Sequence, residues 1–175
     1  MAEARKECFL VSGSYSLRPP VVGDAPRMWH LVNRSENLDK NSLYSYLMWC
    51  RDFSGSSVVA ERQDGEVIGF ITGYSRPEMP DVLFAWQTAT DRRDRRPGLP
   101  GAMLEHLLRR VAARGVTRLE TTVNPGNRPV IMLLEKFASD AGASVKRSTL
   151  FEASHFPDGH PDEILYSVGP IRFPG

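Results

Sequence analysis

Several things are scarce in this chain. Cysteine occurs twice, at Cys8 and Cys50, too few for a disulfide framework. Charge of one sign is also missing: 22 Lys and Arg stand against 21 Asp and Glu. A chain this neutral carries no global basic field for nucleic acid or an anionic membrane, so any anion must be bound locally. No apolar run approaches the roughly 18–20 residues needed to span a bilayer. The opening MAEARKECFLVSG mixes both charges and lacks the long apolar stretch of a signal peptide. What is present is an apolar content of 41% over 175 residues, enough for one continuous core. The reading is a cytoplasmic globular protein, with a loose tail over 1–13 and one domain over 14–175.

The periodicities place the elements. Tyr15–Arg18 alternates and stops at Pro19-Pro20, as a short strand does. Asp24 is placed to cap a helix with Pro26 in its first turn and Met28, Trp29 and Val32 facing inward. Asn41-Ser42 caps a second helix, whose Leu43, Tyr46, Leu47, Cys50 and Phe53 form one stripe and leave Tyr44 off it. Two β-rich runs over 57–62 and 66–74 flank Gln63-Asp64-Gly65, a hairpin signal. A strand over 81–90, an amphipathic helix closed by Gly115, and a strand over 116–123 follow. The strand–helix–strand order makes the last two strands a parallel pair. Asn127 caps a final helix ending at Gly142, and strands over 145–151 and 164–168 complete an α/β chain.

The most informative segment runs Asp91-Arg-Arg-Asp-Arg-Arg-Pro-Gly-Leu-Pro-Gly-Ala-Met-Leu104. Glycines let backbone approach a ligand, and a helix N-terminus offers unpaired N–H groups and a positive dipole end. Arg92, Arg93, Arg95 and Arg96 add cations suited to phosphate oxygens. The plainer reading, a solvated basic loop that starts a helix, explains any one of these features but not their coincidence at a strand–helix junction.

This loop resembles the cofactor loop of the GNAT superfamily of N-acetyltransferases, R/Q-x-x-G-x-G/A. Arg95, Gly98 and Leu99 match it, while Pro100 replaces the second small residue and removes an N–H. The resemblance implies acetyl-CoA bound by Arg95, Arg96, Gly98, Leu99 and Gly101, with Asn127 as a second contact besides its capping role. It implies a mixed, mostly antiparallel sheet whose fourth and fifth strands, 81–90 and 116–123, run parallel and splay, flanked by helices. It also implies a backbone N–H after Trp86 to stabilise the thioester oxygen. The tyrosine that many relatives use to protonate the thiolate is here Leu134.

A narrower resemblance covers about residues 17–173. The runs at 38–47, 80–87, 119–125 and 156–163 look like the diaminobutyrate acetyltransferases of ectoine biosynthesis, which are typically homodimers. That resemblance implies the positions Asp39, Tyr44, Trp86 and Glu163, with His160 nearby. Asp39 and Glu163 can hold ammonium groups and Tyr44 and Trp86 supply cation–π faces; as general base Glu163 is the first choice and His160 the second. The chemistry fits: a diamino acid needs carboxylates and π faces, and an attacking amine must lose a proton. Each residue has a plainer role as well: Asp39 as a helix-dipole partner, Trp86 as core, Glu163 as a solvated charge. A metal site from His155, His160, Asp162 and Glu163 matches no strong zinc spacing, and no metal is expected. Cys50 as a nucleophile has no evident base. A non-catalytic CoA- or amine-binding domain, and an acetyltransferase for another polyamine-like acceptor, are the alternatives.

Overall fold

The computed structural model describes residues 9–11, 15–35, 38–94 and 96–173. Its elements are β1 (Phe9–Val11), β2 (Tyr15–Arg18), α1 (Ala25–Asn33), α2 (Leu43–Asp52), β3 (Val58–Arg62), β4 (Val67–Arg76), β5 (Met79–Thr90), α3 (Leu99–Ala112), β6 (Arg118–Thr122), α4 (Arg128–Asp140), β7 (Ser144–Phe151) and β8 (Glu163–Gly169). The domain expected over 14–175 divides into two units, Met1–Tyr74 with Gln87–Leu107, and Ser75–Trp86 with Leu108–Gly175. β4, β5 and α3 each pass from one unit into the other.

The first unit is an antiparallel run, β1 against β2, β2 against β3 and β3 against β4. Within the tail expected over 1–13, Phe9–Val11 therefore form a strand, which pairs with Tyr15–Leu17; residues 1–8 and 12–13 lie outside the described residues. The hairpin between β3 and β4 turns where Asp64-Gly65 foretold it, with Gly65 at φ +86. Met28 and Val32 of α1, Tyr46 and Cys50 of α2, Val59 of β3 and Phe70 of β4 share one buried cluster. Full burial of a side chain such as Phe70 contributes about 1.5–3 kcal/mol. Gly69 sits where a Cβ would meet the Ala89 carbonyl at 3.2 Å and Met103 at 3.3 Å. The start of α3 can lie so near the strands only because that side chain is missing.

Asp24 does not cap α1. It is itself helical, at φ −80 and ψ −21, and makes no side-chain cap bond. Its carboxylate instead takes two bonds from Arg18, at 2.7 and 2.9 Å, and the Val21 N–H at 2.7 Å. A charge-assisted pair outcompetes a cap bond, and the short turn Val22–Asp24 leads directly into the helix. On α2, Ser42 caps as expected, accepting from the Ser45 N–H at 3.3 Å. Tyr46 and Cys50 of the expected stripe are buried, whereas Leu43 and Phe53 at its ends are each 38% exposed.

In the second unit the order is β5, β6, β8, β7. β5 and β6 are parallel, pairing Val82–Phe84 with Arg118–Glu120; β6 and β7 are both antiparallel to β8. The strands expected as fourth and fifth are these β5 and β6, and their described pairing ends at Phe84 and Glu120. β5 then continues through Trp86 to Thr90. Leu119, Tyr166 and Val168 are buried on one side of these strands, with Leu134 and Ala138 of α4 also buried.

Candidate active site

The loop after β5 is fixed from both ends. The Asp91 N–H donates to Ile68 O at 2.7 Å, and the Asp91 carboxylate accepts the Arg93 N–H at 2.9 Å. Arg27 spans Val67 O at 3.1 Å, Asp91 at 2.9 Å and Glu66 at 2.5 Å. Arg62 bonds Asp64 and Glu66 and reaches Asp94 at 3.4 Å, while Arg96 bonds Asp94 at 2.6 Å. Burial pushes the Asp91 carboxyl upward, but the Arg93 N–H and the charges of Arg93 and Arg27 prevail and hold it below the usual carboxylate range. A cavity of about 760 Å³ opens among these groups. Arg27, Arg62, Arg92, Arg93 and Arg96 face Glu66, Asp91 and Asp94 there, an excess of two positive charges. Such a cavity suits a polyanion.

Arg95 lies outside the described residues. Arg96 is half-buried, tied to Asp94 and placed 5.7 Å from the Tyr15 ring centre, so a phosphate must share it or displace Asp94. Gly98 stands at φ +82 with nothing near its missing Cβ, so the conformation and not crowding demands glycine. Leu99 has its side chain buried and its N–H turned to Arg96 O at 3.2 Å. Ala102 already closes the first helical bond onto Gly98 O. With no N–H on Pro100, the donors that helix geometry leaves for a ligand are those of Gly98 and Gly101. Asn127 occupies the N-cap position of α4 without a side-chain cap bond, contrary to the capping role expected. Its carbonyl accepts the first helical bond, from Ile131, its N–H donates to Asn124 O, and the side chain is exposed.

Of the residues expected at the acceptor, the first unit carries Asp39 and Tyr44. Tyr44 projects from α2 at 68% exposure, off the core stripe as expected. Asp39 is exposed, and its backbone is pinned by a residue the sequence did not flag. Gln87 donates to Asp39 O at 2.9 Å and accepts from the Tyr46 hydroxyl at 2.7 Å. Trp29 adds a bond from its ring N–H to Asn41 O at 3.1 Å. Asp39 thus enters a loop held by buried groups.

The second unit carries Trp86, His160, Glu163 and Asn127. Trp86 is 37% exposed, too open for a core residue. Register places the others. Phe84 pairs with Glu120, Glu120 with Ser167, and Thr122 with Leu165. Because alternate strand residues share a face, Trp86, Thr122, Leu165 and Glu163 fall on one side of the strands, opposite Leu119, Tyr166 and Val168. Glu163 is half-buried at the start of β8, with His160 Nε2 at 3.5 Å. The His160 ring lies 4.7 Å from the Phe156 ring, and its Nδ1 is 2.8 Å from Pro161 O. An Nδ1–H donated to that carbonyl would leave Nε2 turned toward Glu163. Leu134 is 3% exposed and part of the core, so no acid stands at that position.

A family model described as Acetyltransferase (GNAT) family matches residues 25–138, running through both units. The chain belongs to the GNAT acetyltransferase family. The L-2,4-diaminobutyric acid acetyltransferase of Nocardia farcinica is 46% identical over 159 residues, 91% of this chain and 82% of that protein. Its namesake from Streptomyces avermitilis is 47% identical over 154 residues, 87% and 86% of the two chains. Among solved structures, the diaminobutyrate acetyltransferase EctA from Paenibacillus lautus, in complex with L-2,4-diaminobutyric acid and coenzyme A, superposes with a TM-score of 0.84. It is 34% identical and covers 93% of this chain and all of its own.

Two competing readings of this acetyltransferase weaken on its own geometry. Burial, aided by the charge of Asp24, pushes the Cys50 thiol up to about 12, so no thiolate forms at neutral pH. Among the described residues no three His, Cys, Asp or Glu side chains gather to hold a metal. Asp162 is committed elsewhere, accepting the Ala153 N–H at 2.7 Å. Among the described residues no helix is long and apolar enough to cross a membrane.

Proposed function

We propose that this acetyltransferase moves the acetyl group of acetyl-CoA to the N4 amine of L-2,4-diaminobutyrate, releasing N4-acetyl-L-2,4-diaminobutyrate and CoA in ectoine biosynthesis. The similarity to the diaminobutyric acid acetyltransferases, over nearly the whole chain, supports the substrate. The observation that carries the chemistry is Glu163, half-buried beside His160 on the face that bears Trp86.

The pyrophosphate rests on the Gly98 and Gly101 N–H groups at the start of α3, with Arg95, Arg96 and Asn127 as further contacts and Leu99 supplying backbone and packing. Asp39 holds an ammonium group, and Tyr44 and Trp86 supply cation–π faces. Glu163 takes the proton from N4, directly or through water, with His160 in reserve. The freed nitrogen pair attacks the thioester carbon, a C–N bond forms, and the C–S bond breaks. As the amide forms, the nitrogen sheds its second proton, and the departing CoA thiolate takes that proton up, relayed through water. The backbone N–H following Trp86 steadies the carbonyl oxygen as it gains charge. Residues 14–175 act as one domain, in the cytoplasm, as a homodimer; a sedimenting mass twice 19.6 kDa checks the last point.

Glu163→Gln tests the assignment, since it keeps shape and removes charge. Turnover with diaminobutyrate should fall roughly 100-fold or more, as loss of a general base does. Acetyl-CoA affinity by calorimetry and the melting temperature should hold. Wild-type kcat from pH 7 to 9 would remove Glu163 from the role and pass it to His160.

A further inference from the structure

We infer that Glu120 and Arg76 form a second recognition point for the acceptor, reading its α-amino acid head: Glu120 takes the α-ammonium and Arg76 the carboxylate. The inference rests on the acceptor face proposed above. Glu120 lies in the middle of β6, only 7% exposed. A carboxylate at that depth needs a cation, and Arg76 Nη1 supplies one at 2.9 Å. The pair is lopsided. The Arg76 side chain is 38% exposed and the Glu120 side chain 9%, so the guanidinium opens outward beside a deep carboxylate.

Stability alone is a weak reason to keep such a pair, because apolar replacements of buried ion pairs are often neutral or stabilising. Position gives a better one. Glu120 closes the parallel pairing of β5 with β6, opposite Phe84. Thr122 pairs with Leu165, Glu163 lies two residues beyond along β8, and Trp86 lies two residues past Phe84 on β5, just beyond the last β5–β6 pair. All lie on one face. The two glutamates stand four residues apart along the strands, about 13 Å between backbones.

A diamino acid matches this spacing. Its two nitrogens are three carbons apart, about 5 Å when extended. Adding one hydrogen bond of about 2.8 Å at each end covers most of the span, and the side chains close the rest. N4 then faces Glu163, while the α-ammonium and α-carboxylate meet Glu120 and Arg76 as a second, antiparallel charge pair. That arrangement asks for both head groups at once. A simple diamine or a simple amino acid offers only one.

The test uses inhibition constants against diaminobutyrate for two truncated ligands. One is 4-aminobutyrate, which lacks the α-amine; the other is 1,3-diaminopropane, which lacks the carboxylate. Glu120→Gln should raise the KM for diaminobutyrate roughly tenfold or more, the loss of a charge-assisted bond. It should leave the inhibition constant of 4-aminobutyrate within about twofold, since that ligand never used Glu120. Arg76→Gln should likewise raise the KM for diaminobutyrate but spare 1,3-diaminopropane, and Arg76→Lys should restore part of the loss. The KM for acetyl-CoA should not move.

If all three ligands shift together along with the melting temperature, the pair is structural only and the inference falls. If none shifts, it falls as well. Where a single variant leaves a buried charge alone and unfolds, the double variant Glu120→Met/Arg76→Met removes both charges together. It should then accept both truncated ligands as readily as diaminobutyrate; unchanged discrimination would overturn the inference. Failure of Glu163→Gln to slow turnover would instead unseat the acceptor face itself, so the two failures are told apart.

Discussion

The donor end and the acceptor end of this acetyltransferase are made differently. Apart from Asn127, the proposed donor end is one stretch, Asp91 to Ala102, whose proposed working parts are backbone: a glycine at φ +82 and the N–H groups of a helix start. The arginines around its cavity are engaged: from outside the stretch, Arg27 with Glu66 and Asp91 and Arg62 with three carboxylates, and from within it Arg96 with Asp94. The proposed acceptor residues are scattered along the sequence from Asp39 to Glu163 and would act as individual side chains. Charges spread over a web share any loss among neighbours, whereas a lone base or clamp shares it with nothing. Substitutions should therefore be graded at the donor end and steep at the acceptor end.

Gln87 offers the steepest test of that contrast after Glu163. Gln87→Leu removes the acceptor of the buried Tyr46 hydroxyl at 2.7 Å and one of two donors to the Asp39 carbonyl, which keeps Asn41 Nδ2 at 3.3 Å; a lost buried hydrogen bond costs about 1–3 kcal/mol. The KM for diaminobutyrate should rise tenfold or more and the melting temperature should fall by several degrees. Gln87→Glu keeps an acceptor for Tyr46 and loses only the donor to Asp39, so it should lie between. Wild-type kinetics for Gln87→Leu would mean that the Asp39 loop holds its place unaided.

At the donor end Gly98→Ala should cost acetyl-CoA affinity about fivefold, because a side chain at φ +82 is strained by about 1 kcal/mol although nothing crowds it. Gly98→Glu should do worse by adding a negative charge beside phosphates. In both, kcat at saturating acetyl-CoA should stay near wild type. A loss of kcat would show that the loop also sets the thioester, and the contrast between the ends would blur. Arg96→Ala should weaken binding two- to fivefold at most, since Arg96 already spends part of its charge on Asp94. Pro100→Gly should leave affinity equal or better by returning an N–H, less the entropy of a freer loop. A large loss there would show that the proline shapes the loop.

This difference in construction also decides what the sequence could reveal. The donor loop is local, so its glycines, arginines and helix start were readable in a row. The hairpin at Asp64-Gly65 and the core stripe of α3 were readable for the same reason. Glu120 was not. In Arg-Leu-Glu-Thr-Thr it alternates with Leu119 and reads as a solvent-facing residue, yet parallel strands are covered on both faces and it is buried. Gln87 was passed over because its two bonds reach residues 41 and 48 positions away. Asp24 looked like a cap because local propensity knows nothing of Arg18. Three-residue β1 is too short to show a period at all.

The smallest expected effect is an absence of effect, and it is the sharpest form of the comparison. Asp91 anchors the donor loop with its carboxyl held below the usual range. A depressed carboxyl stabilises the fold above its ordinary value near 4 and loses that contribution only as pH falls through the lowered one. Its arginine partners keep their charge throughout. Between pH 7 and 9 the donor end therefore has no group changing charge, and the acetyl-CoA dissociation constant should vary less than about twofold. The acceptor end behaves oppositely. An alkyl ammonium has a reference value of about 10; in Glu163→Gln only its neutral fraction can react, so kcat/KM for diaminobutyrate should climb nearly tenfold per unit over that range, whereas the base in the unsubstituted protein flattens that slope. Calorimetry and steady-state rates on one preparation measure both. A tenfold drift in acetyl-CoA affinity across that window would mean that a titrating group sits among the phosphates, and the two ends would not be separable by pH.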